Sequence, residues 1–232
     1  MIRGFYTAVS GIKSQQSGMD AIANNIANIS TTGYKAQHAA FSSLLYKSIN
    51  GGSGGIAMGH GARISGTDLT LSQGDLTATG KAYDFAVDGE GFFALQGADK
   101  NDRVYTRDGS FQLSQSGDKM YLGDGSGRFV VDRDGQRIEV GEAFDATKIA
   151  VFNFPNPYAL SPAGGNVYRE TPASGKAEAL TSPEVRRGYL ESSSVQASGE
   201  MVRMIETSKA FSLNSRVVQT ADELEKVINQ LR

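Results

Sequence analysis

Residues 3–29 have the sequence RGFYTAVSGIKSQQSGMDAIANNIANI, and this stretch decides how the rest of the chain is interpreted. Its apolar residues recur every seven positions, with Ile22 in a second series three places on; the main series is Phe5, Ile12, Met19 and Ile26. A seven-residue repeat forms a seam that needs a partner helix. We therefore expect one helix over residues 3–29, ended by the turn sequence that contains Gly33.

The C-terminal end of the chain carries a matching pattern. Apolar residues keep the spacing of seven and then pass to a neighbouring helical face, in the series Met204, Phe211 and Val218, followed by Leu224 and Leu231. The final helix is predicted to begin between Ser198 and Met201, with Ser198 or Gly199 as its cap. Two terminal helices that both need partners indicate a chain built for assembly.

Three glycines repeat along the first helix with the same period of seven: Gly4, Gly11 and Gly18. Each should cost about 1 kcal/mol against alanine inside a helix, so some favourable contact has to offset that loss. Close approach of another helix or a bulky side chain is such a contact. We expect these glycines and the apolar series at both ends to form a subunit interface, and the first helix to be disordered in the isolated chain.

The middle of the chain has the pattern of short antiparallel strands. Asp-Gly pairs, which suit tight β-turns because glycine adopts positive φ readily, recur at residues 88–89, 108–109, 124–125 and 134–135. Between them lie runs rich in aromatic and β-branched residues, at 85–87, 91–95, 104–106, 111–113, 129–131 and 138–140.

These patterns predict an α+β fold, in which N- and C-terminal helices pair as a coiled-coil-like domain around a β-rich antiparallel middle domain. The expected divisions are paired helices at 1–35 and 198–232, an extended arm or linker at 36–61, a β-rich domain at 62–151 and a proline-containing return limb at 152–197. All five prolines lie between residues 152 and 187, so we expect no regular element across that stretch. For residues 34–49 a short helix and an extended arm both remain open. Residues 50–55 have the composition of a flexible linker.

The composition excludes several classes of function. A formal net charge of -2 without any Lys/Arg run argues against nucleic acid as a partner. The absence of cysteine excludes disulfides, thiolate metal sites and cysteine nucleophiles. No apolar stretch approaches about 18 residues, so we expect no transmembrane span, and the first residues lack the pattern of a cleaved signal peptide.

Candidate catalytic residues are few. His38 and His60 have no metal-site or triad pattern around them, and Ser53 lacks the setting of a nucleophile elbow, so we interpret His60 and Ser53 as exposed loop residues. Residues 132–135 and 123–127 fail the calcium-loop and phosphate-loop patterns and are interpreted as turns. We expect no enzyme activity, no cofactor and no metal.

One alternative remains open, a periplasmic glycan-binding or peptidoglycan-hydrolysing module carried on an oligomerising helical stalk. It rests on aromatic residues that could line a groove, Tyr83, Phe85, Phe92, Phe93 and Tyr105, and on the nearby carboxylates Asp84, Asp88 and Glu90. The competing interpretation places these aromatics in the core and the carboxylates in turns.

Several segments resemble the bacterial flagellar rod and hook proteins. The first contains Asn24, Asn25 and Asn28 and continues through Gly33 and Tyr34 to Lys35. Further segments that resemble the family follow in the family's order, at residues 84–93, 105–111, 188–191 and 200–215. Gln196 departs from the family pattern, which has Asp or Asn there, so a capping contact at this position is in doubt.

The resemblance implies a structural subunit of the flagellar basal body, of proximal-rod or distal-rod type, with no catalytic activity. It implies export through the flagellar type III apparatus without a cleaved signal peptide, and assembly in the periplasm with itself and with other rod and hook subunits. The terminal helices would form an inner tube around the channel, and the tube would transmit torque. The short segment at residues 46–61 favours the proximal-rod type.

Overall fold

The structure is a computed structural model that describes residues 2–44, 47–49, 56–97, 102–141 and 148–231. It has an N-terminal helix, a C-terminal helix and an antiparallel β-rich middle, as the sequence predicts. The chain divides into two compact units: unit 1 comprises Met1–Ala27, Gln37–Leu69 and Gln196–Arg232, and unit 2 comprises Asn28–Ala36 and Thr70–Val195.

Unit 1 contains the helices α1 (Ile2–Ala27) and α2 (Ala197–Gln230). The prediction that Ser198 or Gly199 caps α2 is wrong, because both residues already lie inside the helix. The N-cap position belongs to Gln196, whose backbone is extended and whose side chain makes no capping hydrogen bond. The doubt about a capping contact at Gln196 was therefore justified.

A long antiparallel hairpin completes unit 1. Strand β1 (Gln37–Ser43) pairs with β4 (Ala62–Leu69), with a bulge between Ala40 and Phe41 on β1. Farther along the hairpin, β2 (Lys47–Ile49) pairs with β3 (Ile56–Met58). The two strands β1 and β2 show that the segment left open between helix and arm is extended where the structure describes it, whereas the linker predicted at residues 50–55 lies outside the described residues.

Unit 2 is built around one large antiparallel sheet. Its strands are β7 (Phe92–Gln96), β8 (Arg103–Thr106), β9 (Gln112–Ser116), β10 (Lys119–Gly123), β11 (Phe129–Val130), β12 (Val151–Asn153), β13 (Ser161–Gly164), β14 (Val167–Arg169) and β15 (Glu178–Ala179). The strand order is β13-β14-β8-β7-β11-β10-β9, and β12 pairs with both β7 and β15. Two smaller ladders join β5 (Leu76–Ala78) to β17 (Tyr189–Glu191) and β6 (Phe85–Asp88) to β16 (Glu184–Arg187).

The core of unit 2 is apolar and rich in aromatic rings. Phe93 and Phe111 meet edge to face with ring centroids 5.2 Å apart, and Tyr105 meets Phe154 at 4.8 Å. Such pairs stabilise a core by about 0.5–1.5 kcal/mol beyond the area they bury. The buried residues that form one cluster with Phe93 and Phe111 are Phe85, Val87, Leu95, Val104, Leu122, Val130, Ile138, Ile149, Val151 and Val167.

The structure corrects two strand predictions. Residues 138–140 form a single isolated bridge, between Glu139 and Tyr121, and not a strand. The region expected to lack regular elements, at residues 152–187, contains the short strands β13 to β16 and a turn of 3-10 helix at Pro157–Ala159. Among these strands only β13 contains a proline, Pro162, and it is tolerated there because β13 lies at the edge of the large sheet.

The four Asp-Gly pairs fall into two kinds. Gly89 and Gly135 have φ of 102° and 75°, the left-handed conformation that the turn argument requires, whereas Gly109 and Gly125 do not have positive φ. At Gly109 the constraint is space, because an added Cβ would lie 1.7 Å from the carbonyl oxygen of Phe85. Gly125 has nothing within 4 Å of such an atom.

Gly109 and Gly125 therefore form a matched pair, because neither has positive φ and they differ in the space available to a side chain. We expect Gly109→Ala to destabilise unit 2 by about 3 kcal/mol or more, because the obstacle is backbone and cannot rotate away. Gly125→Ala should leave the stability nearly unchanged. Thermal unfolding followed by near-ultraviolet circular dichroism measures both. Equal unfolding temperatures for the two variants would contradict the clash at Gly109.

Candidate functional site

The two helices of unit 1 lie antiparallel against each other. Gly11 of α1 faces Asn214 of α2, and Gly18 one heptad later faces Thr207, so residue numbers rise on one helix as they fall on the other. Extending this register places the start of α1 beside residues near 223 of α2. The C-terminal end of α2 therefore runs beyond α1, and every residue from 222 to 231 is exposed.

The residues predicted for a subunit interface occupy three environments in the single chain. Ile22 is buried. A second group is half-buried within unit 1, namely Ile12, Met19, Ile26, Met204 and Val218. The third group is exposed and consists of Phe5, Phe211, Leu224 and Leu231.

The exposed apolar surface of α2 is larger than the seven-residue series predicts. Leu213 is 62% exposed, and Val227 and Ile228 are about half exposed beside Leu224 on the end that runs beyond α1. Met201, Val202, Ile205 and Val217 add to it along the helix. An exposed apolar surface of this extent is typical of an interaction site. We call the exposed apolar residues of the helix the α2 apolar face: Met201, Val202, Ile205, Phe211, Leu213, Val217, Leu224, Val227, Ile228 and Leu231.

The glycine series has three different surroundings. An added Cβ on Gly11 would lie 2.9 Å from the side-chain amide nitrogen of Asn214, and one on Gly18 would lie 3.1 Å from the Phe41 ring. Gly4 meets nothing within 4 Å. Close approach thus occurs at two of the three glycines, and at Gly11 it involves the other helix of the same chain.

The asparagines of the family-like segment have distinct positions. Asn25 is fully buried on α1, and its amide makes two hydrogen bonds to the backbone of Gln37: Nδ2 donates to the carbonyl oxygen at 2.8 Å and Oδ1 accepts from the N–H at 2.9 Å. These bonds fix the start of β1 against α1. Asn28 accepts a hydrogen bond from the hydroxyl of Thr31, and Asn24 is exposed.

Gly33 and Tyr34 belong to unit 2. Gly33 has φ of 63°, and an added Cβ would lie 2.6 Å from the backbone of Arg107, so both conformation and space require glycine. Its N–H donates to the carbonyl oxygen of Glu191 at 2.7 Å. Tyr34 is buried with Ala36 and Val195 in a small apolar cluster.

Unit 2 also contains a buried cluster of three charged side chains, Lys35, Arg107 and Glu191. The carboxylate of Glu191 accepts hydrogen bonds from Lys35 Nζ at 2.6 Å, from Arg107 Nη1 at 3.2 Å and from the N–H of Gly74 at 2.9 Å. All three charged side chains are at most 4% exposed. Lys35 also donates to the carbonyl oxygen of Ser72 at 2.8 Å, so the cluster ties four separate stretches of chain together.

Burial dominates the electrostatics of this cluster. It lowers the pKa of Lys35 from its ordinary value of 10.5, and the attraction of Glu191 offsets only part of this effect. Burial also lowers the pKa of Arg107, whose guanidinium lies 5.3 Å from the centre of the Phe92 ring. Two cations thus share one anion, and each depends on Glu191 to remain charged in the interior.

Sequence reasoning did not identify this cluster. Lys35, Arg107 and Glu191 each lie in a segment that resembles the rod and hook proteins, and that was the only available signal. Nothing in local spacing brings together residues 35 and 191.

The aromatic residues of the glycan-groove alternative do not line a groove, which confirms the competing interpretation that places them in the core. Phe85, Phe92, Phe93 and Tyr105 are at most 2% exposed, and Tyr83 is half-buried against the core. The carboxylates near them are also engaged, because Asp84 accepts a hydrogen bond from Thr79, Asp88 pairs with Arg186, and Glu90 accepts from Asn153.

Other candidate sites are accounted for by turns. The carboxylate of Asp132 accepts hydrogen bonds from the N–H groups of Asp134 and Gln136, and that of Asp124 does the same for Ser126 and Arg128, which confirms both turn interpretations. Within the described ranges no group of His, Cys, Asp and Glu side chains has the arrangement of a metal site.

His60 is an exposed loop residue, as predicted, whereas Ser53 lies outside the described residues. Neither helix in the part of the chain that the structure describes is long and apolar enough to cross a membrane.

Three family models match separate parts of the chain. "Flagella basal body rod protein" matches residues 5–35, "Flagellar hook protein FlgE/F/G D1 domain" matches residues 86–153, and "Flagellar basal body rod FlgEFG protein C-terminal" matches residues 186–231. The first and last matches fall mainly on α1 and α2, and the middle match falls on the large sheet of unit 2.

Curated relatives align with the whole chain. The flagellar basal-body rod protein FlgG of Buchnera aphidicola subsp. Schizaphis graminum is 32% identical over an alignment of 268 residues that covers 100% of both proteins. FlgG of Bacillus subtilis is 31% identical, again with 100% of both covered. FlgF of Caulobacter vibrioides is 28% identical over 239 residues, with 97% of this chain and 96% of FlgF covered.

The glycine surroundings predict opposite effects at two positions of one helix. Gly4→Ala should stabilise α1 by up to about 1 kcal/mol, because the new methyl group meets nothing. Gly11→Leu should destabilise unit 1 by about 1–3 kcal/mol through overpacking against Asn214. Helix content against urea concentration measures both. If Gly11→Leu stabilised the helix as Gly4→Ala does, close packing at Gly11 would be refuted.

Asn214→Ala supplies the control for the Gly11 contact. It removes the side chain that obstructs position 11, so Gly11→Ala should stabilise the chain more in the Asn214→Ala background than in the native one.

The charge cluster predicts a large effect from a nearly isosteric change. Glu191→Gln leaves Lys35 and Arg107 buried without an anion and should destabilise unit 2 by about 3–5 kcal/mol at neutral pH. Glu139→Gln, which breaks the exposed pair with Lys119, is the control and should change little. Chemical unfolding of both variants is the measurement. A stability loss at Glu191 no greater than at Glu139 would show that the cluster does not stabilise the fold.

Proposed function

The chain belongs to the family of flagellar basal-body rod proteins, and on this premise we propose that it polymerises through its terminal helices into a hollow axial tube. As a member of that family it is a structural subunit of the flagellar rod and not an enzyme. In this proposal the subunits assemble through their helices, the tube encloses a channel, and the tube transmits torque.

The α2 apolar face is the single observation that carries the proposal. Helix α2 has 34 residues and a length of about 51 Å, and α1 covers only part of it. Leu224, Val227, Ile228 and Leu231 lie on the end that runs beyond α1, and each is about half exposed or more. Burying them against neighbouring subunits would gain roughly 1.5–3 kcal/mol for each large side chain.

The helix pair is suited to an inner tube. We propose that α1 and α2 pack in a coiled-coil-like manner, with Ile12, Met19, Met204 and Val218 half-buried between the helices of one chain and available to those of the next. In such a tube the helices surround the channel, and unit 2 contacts adjacent subunits.

The remaining functional assignments follow from assembly. A closely packed tube transmits torque because its subunits cannot slide past one another, and its channel allows export of later subunits. We propose that the chain itself leaves the cell through the flagellar type III apparatus and assembles in the periplasmic rod. Its partners are further copies and other rod and hook subunits.

The overhanging end of α2 gives a direct test of polymerisation. Leu224→Asp should abolish rod assembly and motility, because an unpaired charge in a dry helix contact costs several kcal/mol. Unfolding of the isolated chain should be unchanged, since Leu224 is 48% exposed there. Swimming in soft agar, basal-body imaging and an export assay measure the outcome.

Gln219→Asp is the matched control, because it adds the same charge at an exposed polar position on another side of α2. It should support normal motility. Ile12→Asp should also prevent assembly, but it should lower the stability of unit 1 as well because Ile12 is half-buried. Normal rods from Leu224→Asp would remove α2 from the interface and refute the proposal.

A further inference from the structure

His38 of β1 contacts Arg203 of α2 within unit 1. The guanidinium Nη1 lies within hydrogen-bond distance of both imidazole nitrogens, 2.5 Å from Nδ1 and 2.9 Å from Nε2. Because a guanidinium only donates hydrogen bonds, at least one of these two nitrogens has to be an unprotonated acceptor. This contact between the hairpin and the helix therefore exists only while His38 is neutral.

Charged groups approach His38 from two of the three elements around it. Glu200 and Glu206 stand with Arg203 on α2, and Asp68 on β4 is the direct cross-strand partner of His38. The neighbouring positions of α1 and of β1 itself carry no charge: Gly18, Ala21, Ile22, Gln37, Ala39 and Phe41.

The balance of these groups favours the neutral ring. Burial lowers the pKa of His38 from its ordinary 6.5, Arg203 lowers it further, and Glu200 and Asp68 oppose both effects without cancelling them. Below pH 6.5 and down to the folded-state pKa, the unfolded chain binds more protons at this residue than the folded chain does. The free energy of unfolding therefore falls as the pH falls through this window.

Protonation of the ring removes the basis of this contact. A charged imidazolium carries a proton on both nitrogens and can accept at neither, and the positive charge of Arg203 repels it. Arg203 Nη1 also donates to Oε1 of Glu200 at 3.3 Å on the same helix, so the guanidinium keeps a partner on α2 when His38 is charged.

We propose that His38 is an acid-sensitive contact, and that protonation of its ring releases β1 from α2. A cavity of about 350 Å³, lined by α1, β1 and α2, lies beside the ring and gives the displaced side chains room. The device belongs to the single chain and does not depend on polymerisation. It would make the contact between the hairpin and the helix pair depend on the pH around the protein.

The full chain allows a clean experiment, because it contains no cysteine and only two histidines. Spin labels at Ser43→Cys and Ser208→Cys report the separation of β1 and α2, and proton NMR follows the two imidazole rings. Between pH 7.5 and pH 5 we expect the label distances to lengthen or broaden, with a midpoint that coincides with the His38 titration and lies below 6.5.

Three variants decide the outcome. His38→Gln keeps an acceptor for Arg203 without titrating, so its label distances should not respond to pH, whereas His60→Gln should respond as the native chain does. Arg203→Gln should raise the His38 midpoint. A midpoint at or above 6.5, a response that persists in His38→Gln, or an unchanged midpoint in Arg203→Gln would each overturn the proposal, and the last test stands even if His38→Gln fails to fold.

Discussion

The carboxylate of Glu191 is the interaction on which unit 2 depends. It neutralises Lys35 and Arg107 in the interior, and the same residue's carbonyl oxygen accepts from Gly33. A buried cation is tolerated only when its counter-ion is present and well placed. The segment at 28–36 and strand β17 therefore depend on each other for their positions in unit 2, although 156 positions separate Lys35 from Glu191. One ionic contact, between Lys35 and Glu191, thus joins the start of the β-rich region to its end.

Local patterns were sufficient to predict much of this fold. Period-seven apolar spacing located both helices to within about two residues, and Asp-Gly pairs with β-branched runs located most strands of the sheet. These signals succeed because helix formation and tight turns are governed by residues close in sequence. At Gly89 and Gly135 the expected positive φ is present, since the turn itself imposes it.

The failures come from contacts between distant residues. Gly109 follows the same Asp-Gly pattern, yet its glycine is required by the backbone of Phe85, which no local rule detects. Residues 138–140 have strand composition but bridge only singly, because pairing depends on what lies beside them. The Glu191 cluster and the amide of Asn25 are of the same kind. A buried charge or amide is identified only when its partners are known.

The two units differ in how far their large apolar side chains are buried within one chain. In unit 2 the described core residues are buried, and Lys35 and Arg107 pair with Glu191 within one chain. Unit 1 satisfies its buried amide at Asn25 in the same way, but it leaves large apolar side chains of α2 in water over the length of the helix. Helices gain most of their stability from packing an apolar face and not from intrinsic propensity. Beyond residue 222 the large apolar side chains of α2 stay exposed in the described chain, and this exposure supports the proposal that a neighbouring subunit packs against them.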